Sequence, residues 1–291
     1  IPNFKCFGYY GGMPKLNLKN PEVEKYITDV ACYWIKECDI DGWRLDVGDE
    51  ISHFFWKNFR KAVKAVKKDL LIIGEIWHYA GDFLEGDEWD TVMNYPFYLN
   101  LIDLLADEKI TVSQFVQNLG YLKGRLNKNC YPLMWNLIDS HDTARFLHLC
   151  NDNKKKQHLA AAFQLLLPGM PMIYYGDEYA MPGANDPDCR RGMYWDEEYQ
   201  DKEMYEWYKR LIQVRKSHAC IVEGELAGSV TEDEEGTVVL IRKNGEETIA
   251  MIFNCSSSAK KFNEYTQKYN LLTENTFDGN VEGFDAAVIV L

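Results

Sequence analysis

The sequence predicts an α/β protein in which part of a (β/α) barrel is followed by a small antiparallel all-β domain. The 291 residues are 46% apolar and 14% aromatic, so the chain can bury a hydrophobic core. Up to His218, short apolar runs alternate with stretches of helical periodicity, and helices between strands impose parallel pairing. Beyond His218 the runs are short and are separated by Gly, Asn and Asp turns. We therefore expect residues 1–218 to form the barrel portion and 219–291 a C-terminal β-sandwich domain.

The first elements form one strand, helix and strand unit behind an initial helix. Asn20 followed by Pro21 is typical of a helix start, and apolar residues then recur at helical spacing. The predicted elements are a helix over 20–38, a strand over 42–47, a helix over 54–66 and a strand over 70–77.

The same alternation continues to His218. The predicted elements are a weak strand over 91–95, helices near 97–107 and 112–126, a strand over 133–138, a helix over 155–167, a strand over 172–175 and a helix over 202–217. Five consecutive strand and helix units are typical of part of a (β/α) barrel. The β domain is indicated by alternating runs at 238–241, 248–253 and 287–290.

Charge and composition exclude several classes of partner. The formal net charge of −13 would repel nucleic acid and anionic lipid headgroups, so a neutral ligand is expected. No apolar run approaches the roughly 20 residues of a membrane span. The eight cysteines form no CxxC pair, which favours reduced thiols and a cytoplasmic protein. The chain starts at Ile1 rather than Met, which suggests a cut inside a larger protein.

Acidic residues follow three of the predicted strands. Asp46 and Glu75 end the first two, and Asp142 follows the fourth. In a barrel the reacting groups project from the carboxyl ends of the strands. A single acid of this kind is more often a helix cap or a surface ion pair, but three at three strand ends favour a catalytic site.

Two facing carboxylates are what glycoside hydrolysis requires, one as nucleophile and one as the acid that protonates the leaving oxygen. Asp46 and Glu75 fit these roles. Arg44 lies two residues before Asp46 on the same strand face, where a cation favours an ionised nucleophile. The apolar neighbours of Glu75 favour the protonated carboxyl that a general acid needs.

Three ordered segments carry a family resemblance. GWRLDV (42–47), GEIWH (74–78) and LIDSHD (137–142) resemble the second, third and fourth signature regions of glycoside hydrolase family 13, the α-amylase family. The resemblance implies the carboxyl-terminal part of a (β/α)8 TIM barrel and a retaining enzyme, with Asp46 as nucleophile and Glu75 as general acid/base. It further implies that Asp142 stabilises the transition state, and that Arg44 and His141 contact the sugar in the −1 subsite.

Other matches indicate a subgroup. MPKLN (13–17) resembles the fifth region of the neopullulanase, cyclomaltodextrinase and maltogenic amylase group. Asp186 and Arg190 match the family pair that binds the −1 glucose. Glu50 matches the glutamate that lines the acceptor side, whereas Gly48 and Asp49 replace the usual Ala and Asn, which puts transglycosylation in doubt.

The resemblance implies an α-glucan oligosaccharide as substrate, with α-1,4 and α-1,6 bonds cleaved in cyclodextrins, pullulan, starch fragments and maltooligosaccharides. No counterpart of the family's first region is present, so we expect the 291-residue chain to be inactive alone and the intact enzyme to form a homodimer through an amino-terminal domain. The alternatives are a non-catalytic carbohydrate-binding or scaffold relative, and a sucrose- or trehalose-acting relative.

No cofactor or metal is predicted. The acidic runs at 85–88 and 232–235 are interpreted as solvated faces or turns. Calcium is the alternative for such runs, but no EF-hand spacing is present. Trp77, Trp135 and Tyr95 are interpreted as core residues rather than sugar platforms.

Overall fold

The computed structural model describes residues 3–291 and divides them into two compact units. The first contains the described residues up to Asn94 together with Arg125–Met134, and the second contains Tyr95–Gly124 and Trp135–Leu291. None of the helices in residues 3–291 is long and apolar enough to cross a membrane.

The α-helices largely follow the predicted periodicities. They are α1 (Pro21–Cys38), α2 (His53–Val66), α3 (Tyr95–Leu101), α4 (Val112–Arg125), α5 (Phe146–Leu149), α6 (Lys154–Leu166), α7 (Lys202–Ser217) and α8 (Ala219–Glu223). The predicted start of α1 is confirmed, since Oδ1 of Asn20 accepts a hydrogen bond from the backbone N of Glu22 at 2.9 Å. Helices α5 and α8 were not predicted, because they are too short to show a helical period.

The strands before residue 218 pair in parallel, as predicted. They are β1 (Gly42–Leu45), β2 (Leu71–Gly74), β3 (Thr91–Val92), β4 (Trp135–Leu137) and β5 (Met170–Met172). The first three pair in the order β1-β2-β3 within the first unit, and β4 pairs with β5 in the second. The last strand begins and ends earlier than predicted, so Tyr174 and Tyr175 lie beyond it.

Residues 225–291 form antiparallel β-structure. The strands are β6 (Glu225–Glu232), β7 (Thr237–Asn244), β8 (Glu247–Asn254), β9 (Lys260–Lys261), β10 (Tyr269–Asn270), β11 (Asn275–Thr276), β12 (Asn280–Val281) and β13 (Asp285–Val290). Six of them form one sheet in the order β11-β10-β13-β8-β7-β6, and β12 pairs with β9. Strand β6 was not predicted, because this edge strand is mostly exposed and shows no apolar alternation.

The core of the second unit joins the six-stranded sheet to α6. Phe163 of α6 stacks on Phe253 of β8 with ring centroids 4.2 Å apart and an interplanar angle of 11°. Both side chains are fully buried. The boundary between 218 and 219 stays a prediction, since residues on both sides of it belong to one compact unit.

The interpretation of the acidic run at 85–88 as a solvated face or turn is wrong at one residue, since residues 85–87 are exposed and Glu88 is not. Glu88, assigned to a solvated acidic run, is buried, and its Oε1 lies 2.9 Å from Nδ1 of His53. Burial raises the pKa of Glu88 above its usual value, and the contact with His53 opposes that shift.

Candidate active site

Arg44 connects the two carboxylates predicted to carry the chemistry. Leu45 of β1 pairs in register with Gly74 of β2, so Asp46 and Glu75 follow neighbouring parallel strands at the same edge of the sheet. Nη1 of Arg44 donates a hydrogen bond to Oδ1 of Asp46, and Nη2 lies 3.0 Å from Oε2 of Glu75 as an ion pair. One guanidinium therefore contacts both candidate catalytic groups.

Glu75 is buried but does not lie in purely apolar surroundings. Its side chain is 5% exposed. Oε2 accepts a hydrogen bond from the backbone N of Val47 at 2.9 Å, and Oε1 accepts one from Nε1 of Trp77 at 3.3 Å. The sequence-based expectation of an apolar environment is therefore wrong in part, because two donors and the Arg44 cation also surround this carboxylate.

The backbone after Asp46 is strained. Val47 has φ +46°, in the left-handed region that β-branched residues rarely adopt. Such a conformation costs about 1–3 kcal/mol and persists only where surrounding contacts enforce it. The Val47 N–H donates to Glu75 here, while the Asp46 side chain remains 77% exposed after β1.

Glu50 is held by the segment that contains MPKLN. Nζ of Lys15 lies 2.6 Å from Oε2 of Glu50 and donates to its backbone oxygen at 2.9 Å. The backbone N of Gly8 donates to Oε1 at 2.9 Å. Hydrogen bonding from Lys15 lowers the pKa of Glu50 below its usual value. Both carboxylate oxygens thus have protein donors, and the substrate-binding role of Glu50 stays a prediction.

Trp89 explains why two glycines lie beside the catalytic candidates. A Cβ atom at Gly74 would lie 2.2 Å from Cε3 of Trp89, and one at Gly48 would lie 2.7 Å from Cζ2 of the same ring. Trp89 is fully buried and stacks on Phe83 with centroids 4.2 Å apart. Gly48, a departure from the subgroup pattern, therefore accommodates this ring.

The second unit brings four other predicted residues together. Nε2 of His141 lies 3.1 Å from Oδ2 of Asp142. Arg190 joins two carboxylates, since its Nη2 lies 3.3 Å from Oδ1 of Asp142 and its Nε lies 2.7 Å from Oδ1 of Asp186. The loop after β4 and the segment around 186–190 therefore meet at a partly exposed cluster of charged side chains.

The three aromatic residues assigned to the core differ in outcome. Tyr95 is fully buried, as expected, whereas Trp77 is 41% exposed and donates to Glu75. The sequence contains a signal for this contact, because Trp77 lies two residues after Glu75 and alternate residues of an extended segment share a face. Trp135 is half-buried.

No group of three or more His, Cys, Asp or Glu side chains within residues 3–291 is arranged to hold a metal ion. The expectation that no metal or cofactor is needed stays a prediction.

Comparison with known proteins identifies relatives along nearly the whole chain. The family profile described as "Alpha amylase, catalytic domain" matches residues 3–224. A cyclomaltodextrinase of Geobacillus thermopakistaniensis (strain MAS1) is 46% identical over 258 residues, which cover 89% of this chain and 44% of the relative. An intracellular maltogenic amylase of Bacillus subtilis is 43% identical over 253 residues, covering 87% of this chain and 43% of the relative.

A solved structure has the same fold. A cyclomaltodextrinase structure superimposes with a TM-score of 0.93 at 34% identity, covering 99% of this chain and 52% of that one. The chain spans less than half the length of the two curated relatives. The predicted resemblance is confirmed: the chain belongs to the α-amylase family, glycoside hydrolase family 13.

Proposed function

We propose that the protein containing this chain is a retaining α-glucoside hydrolase in which Asp46 is the nucleophile and Glu75 the general acid/base. The observation that carries the proposal is the contact of Arg44 with both carboxylates at the ends of neighbouring parallel strands. Retention requires carboxyl groups about 5–5.5 Å apart, a separation that a single bridging guanidinium can support.

The reaction proceeds in two displacements. Glu75 donates its proton to the glycosidic oxygen while a carboxylate oxygen of Asp46 attacks the anomeric carbon, so the leaving sugar departs as an alcohol and a glycosyl ester forms. The Glu75 carboxylate then takes a proton from water, whose oxygen attacks the same carbon and releases Asp46. The hydrogen bonds from Val47 and Trp77 hold Glu75 in place for both steps.

The family resemblance supports a sugar-binding role for the cluster of His141, Asp142, Asp186 and Arg190 in the second unit. Asp142 and His141 would bind hydroxyl groups of the −1 glucose and stabilise the positive charge that develops at its anomeric carbon. Arg190 holds Asp142 and Asp186 at defined distances, which supports a shared role for these residues in the same subsite.

The substrates proposed are short α-glucans. The names of the relatives support cyclodextrins and maltooligosaccharides, and the MPKLN segment supports the subgroup that also cleaves α-1,6 bonds. We propose that the 291-residue chain alone is inactive, because five parallel strands among its described residues are fewer than a closed eight-stranded barrel needs. The name of the Bacillus subtilis relative supports an intracellular location. We also propose that the intact enzyme is a homodimer, and its molar mass by light scattering tests this.

The test measures release of reducing sugar from γ-cyclodextrin by the longer protein and by its Asp46→Asn and Glu75→Gln variants. Each variant is expected to lose about 10²- to 10⁴-fold in kcat, because each lacks one group that acts in the transition state. Asp41→Asn is the matched control, since Asp41 is fully exposed just before β1 and pairs only with Lys67 among the ion pairs found. It is expected to retain full activity.

The stereochemistry of the first product distinguishes the mechanism. Proton NMR during turnover is expected to show the α-anomer first, and an initial β-anomer would overturn the retaining proposal. Binding of cyclodextrin without turnover by the longer protein would favour the non-catalytic alternative. Turnover by the 291-residue chain, abolished by Asp46→Asn, would contradict the proposed inactivity of the chain alone.

A further inference from the structure

Two aspartates and one arginine are fully buried in the second unit, on the same segments as Asp142 and Arg190. Asp139 ends the segment after β4, Arg145 precedes α5, and Asp177 follows Tyr174 and Tyr175; all three charged side chains are excluded from solvent. The mechanism proposed above uses none of them. Two carboxylates and one guanidinium would leave one uncompensated negative charge in the core, which is costly to bury.

The hydrogen bonds of the two carboxyl groups leave one oxygen on each without a donor. Oδ1 of Asp177 lies 3.0 Å from Nη1 of Arg145, and Oδ1 of Asp139 accepts from the backbone N of Phe146 at 2.5 Å. Oδ2 of Asp139 and Oδ2 of Asp177 are both buried and have no donor when both groups are ionised. The two carboxyl groups lie within hydrogen-bond reach of each other. A single proton held by Asp139 and donated to Asp177 satisfies both atoms and cancels the excess charge.

Electrostatics support the same assignment. Burial raises the pKa of Asp139 well above its usual value, and the neighbouring Asp177 raises it further. Burial also raises the pKa of Asp177, against the lowering effects of the hydrogen bond from Asp139 and the charge of Arg145. The other charged or titratable groups that face the pair are Glu178, Tyr98, Tyr208 and Cys150.

The buried cluster joins the two segments that carry the exposed site residues. The backbone N of Arg145 donates to the oxygen of Gly183 at 2.9 Å, and Sγ of Cys189 lies 3.4 Å from the oxygen of His141. Gln157 of α6 donates to the backbone oxygen of Asp177 at 3.0 Å. Hydrogen bonds therefore join the segment that begins at Asp139 to the segment that begins at Asp177. These two segments also carry Asp142 and Arg190.

We propose that Asp139 and Asp177 share one proton at neutral pH, and that this protonated pair with Arg145 positions Asp142 and Arg190 in the sugar-binding cluster. In the proposed mechanism Asp139 and Asp177 contact neither the reacting sugar nor the carboxylates of Asp46 and Glu75. They are therefore positioning residues. The positioning role rests on the proposed function, whereas the shared proton does not.

The shared proton is tested by NMR on the chain with ¹³C-labelled aspartate side chains. At about pH 6.5 every exposed aspartate is ionised, and Asp285, whose pKa burial raises to about 6, is mostly ionised. One protonated aspartate signal is expected in the unmodified chain and in the Asp29→Asn control, where an exposed aspartate of α1 is replaced. That signal is expected to be lost in Asp139→Asn. An unmodified chain with no protonated aspartate signal at this pH would overturn the proposal.

Stability gives a second readout of the proton. The folded state keeps a proton that the unfolded state releases above about pH 4. The free energy of unfolding therefore falls as pH rises from about 4 through the raised pKa values of Asp139 and Asp177. Asp139→Asn replaces the O–H donor by an N–H donor that cannot titrate. Its urea midpoint is expected to vary less with pH over this window than that of the unmodified chain, and an unchanged slope would contradict the proposal.

The positioning role is tested in the longer protein on γ-cyclodextrin. Asp139→Leu, which removes the donor, is expected to lower kcat about tenfold or more, and Asp139→Asn is expected to restore it to within about threefold of the unmodified enzyme. Circular dichroism checks that both variants fold. If Asp139→Leu does not fold, the pH profile of Asp139→Asn gives the test. This variant should retain more of its activity above neutral pH than the unmodified enzyme does. Values of kcat equal to that of the unmodified enzyme in both folded variants would refute the positioning role. An inactive unmodified enzyme would refute the proposed function and leave the NMR result standing.

Discussion

Lys15 and Arg44 show how much of this site depends on single cations. Arg44 contacts Asp46 and Glu75, and Lys15 contacts the side chain and backbone of Glu50. Cations placed between carboxylates offset the repulsion that would otherwise separate them. The motifs identify these residues, but the partner of Lys15 lies 35 residues along the chain and has no local signal.

The Lys15 and Glu50 pair is expected to stabilise the first unit measurably. Lys15→Met and Glu50→Gln should each lower the free energy of unfolding by about 1–2 kcal/mol, because the side chains are only 17% and 30% exposed and the hydrogen bond is charge-assisted. Urea denaturation of both single variants and the double variant should give a coupling energy of about 1 kcal/mol.

Acid should remove this coupling. Since the pKa of Glu50 is lowered in the folded state, its contribution is present above the unfolded-state value of about 4.3 and is lost as pH falls through the lowered value. Lys25→Met is the control, because Lys25 pairs with Asp29 on an exposed face of α1. A coupling energy near zero at neutral pH would contradict the prediction. So would a loss of stability in Lys15→Met no larger than that in Lys25→Met.

At the scale of elements, β2 depends on Gly74 as the residue that lets Trp89 pack against the end of the strand. The sequence indicates the strand through its apolar run and indicates the acid after it. It does not show that residue 74 must lack a side chain, because the ring that approaches it belongs to a loop 15 residues later.

Gly74→Ala is expected to destabilise the chain by about 1–3 kcal/mol, since the added methyl group would overlap a buried and stacked indole ring. Thermal unfolding followed by circular dichroism measures the effect. Gly228→Ala in β6 is the matched control, because its added atom would meet Ile241 at an ordinary 3.6 Å. Equal melting temperatures for the two variants would show that the Trp89 ring moves at little cost.

At the scale of the whole molecule, the second unit unites helices of the barrel portion with the β sheet. Phe163 contacts Phe253 of the sheet and Phe115 of α4, with centroids 4.2 and 5.0 Å apart. Sequence periodicity predicts α6 and the sheet separately. Their shared core follows from packing of aromatic faces that are 90 residues apart and was not specified by either pattern.

Phe163→Ala is expected to lower the free energy of unfolding by about 3–5 kcal/mol, because it leaves a cavity in a fully buried aromatic cluster. Urea denaturation monitored by far-ultraviolet circular dichroism and by tryptophan fluorescence should shift to the same lower midpoint by both probes. Phe54→Ala, on an exposed position of α2, should change stability by less than about 0.5 kcal/mol. Separate midpoints for the two probes in Phe163→Ala would show that the variant no longer unfolds in a single transition.

The sequence by itself determined the longer helices, most of the longer strands, the parallel pairing of the strands before residue 218 and the family, because periodicity, helix caps and ordered motifs are local properties of the chain. Only the tertiary structure decided which charges meet: Arg44 with two carboxylates, Lys15 with Glu50, and Asp139 with Asp177 and Arg145. The reason is that burial and the chain path determine the energy of a charged group. Residues far apart in sequence acquire neighbours, lose solvent and exchange protons only when the elements pack.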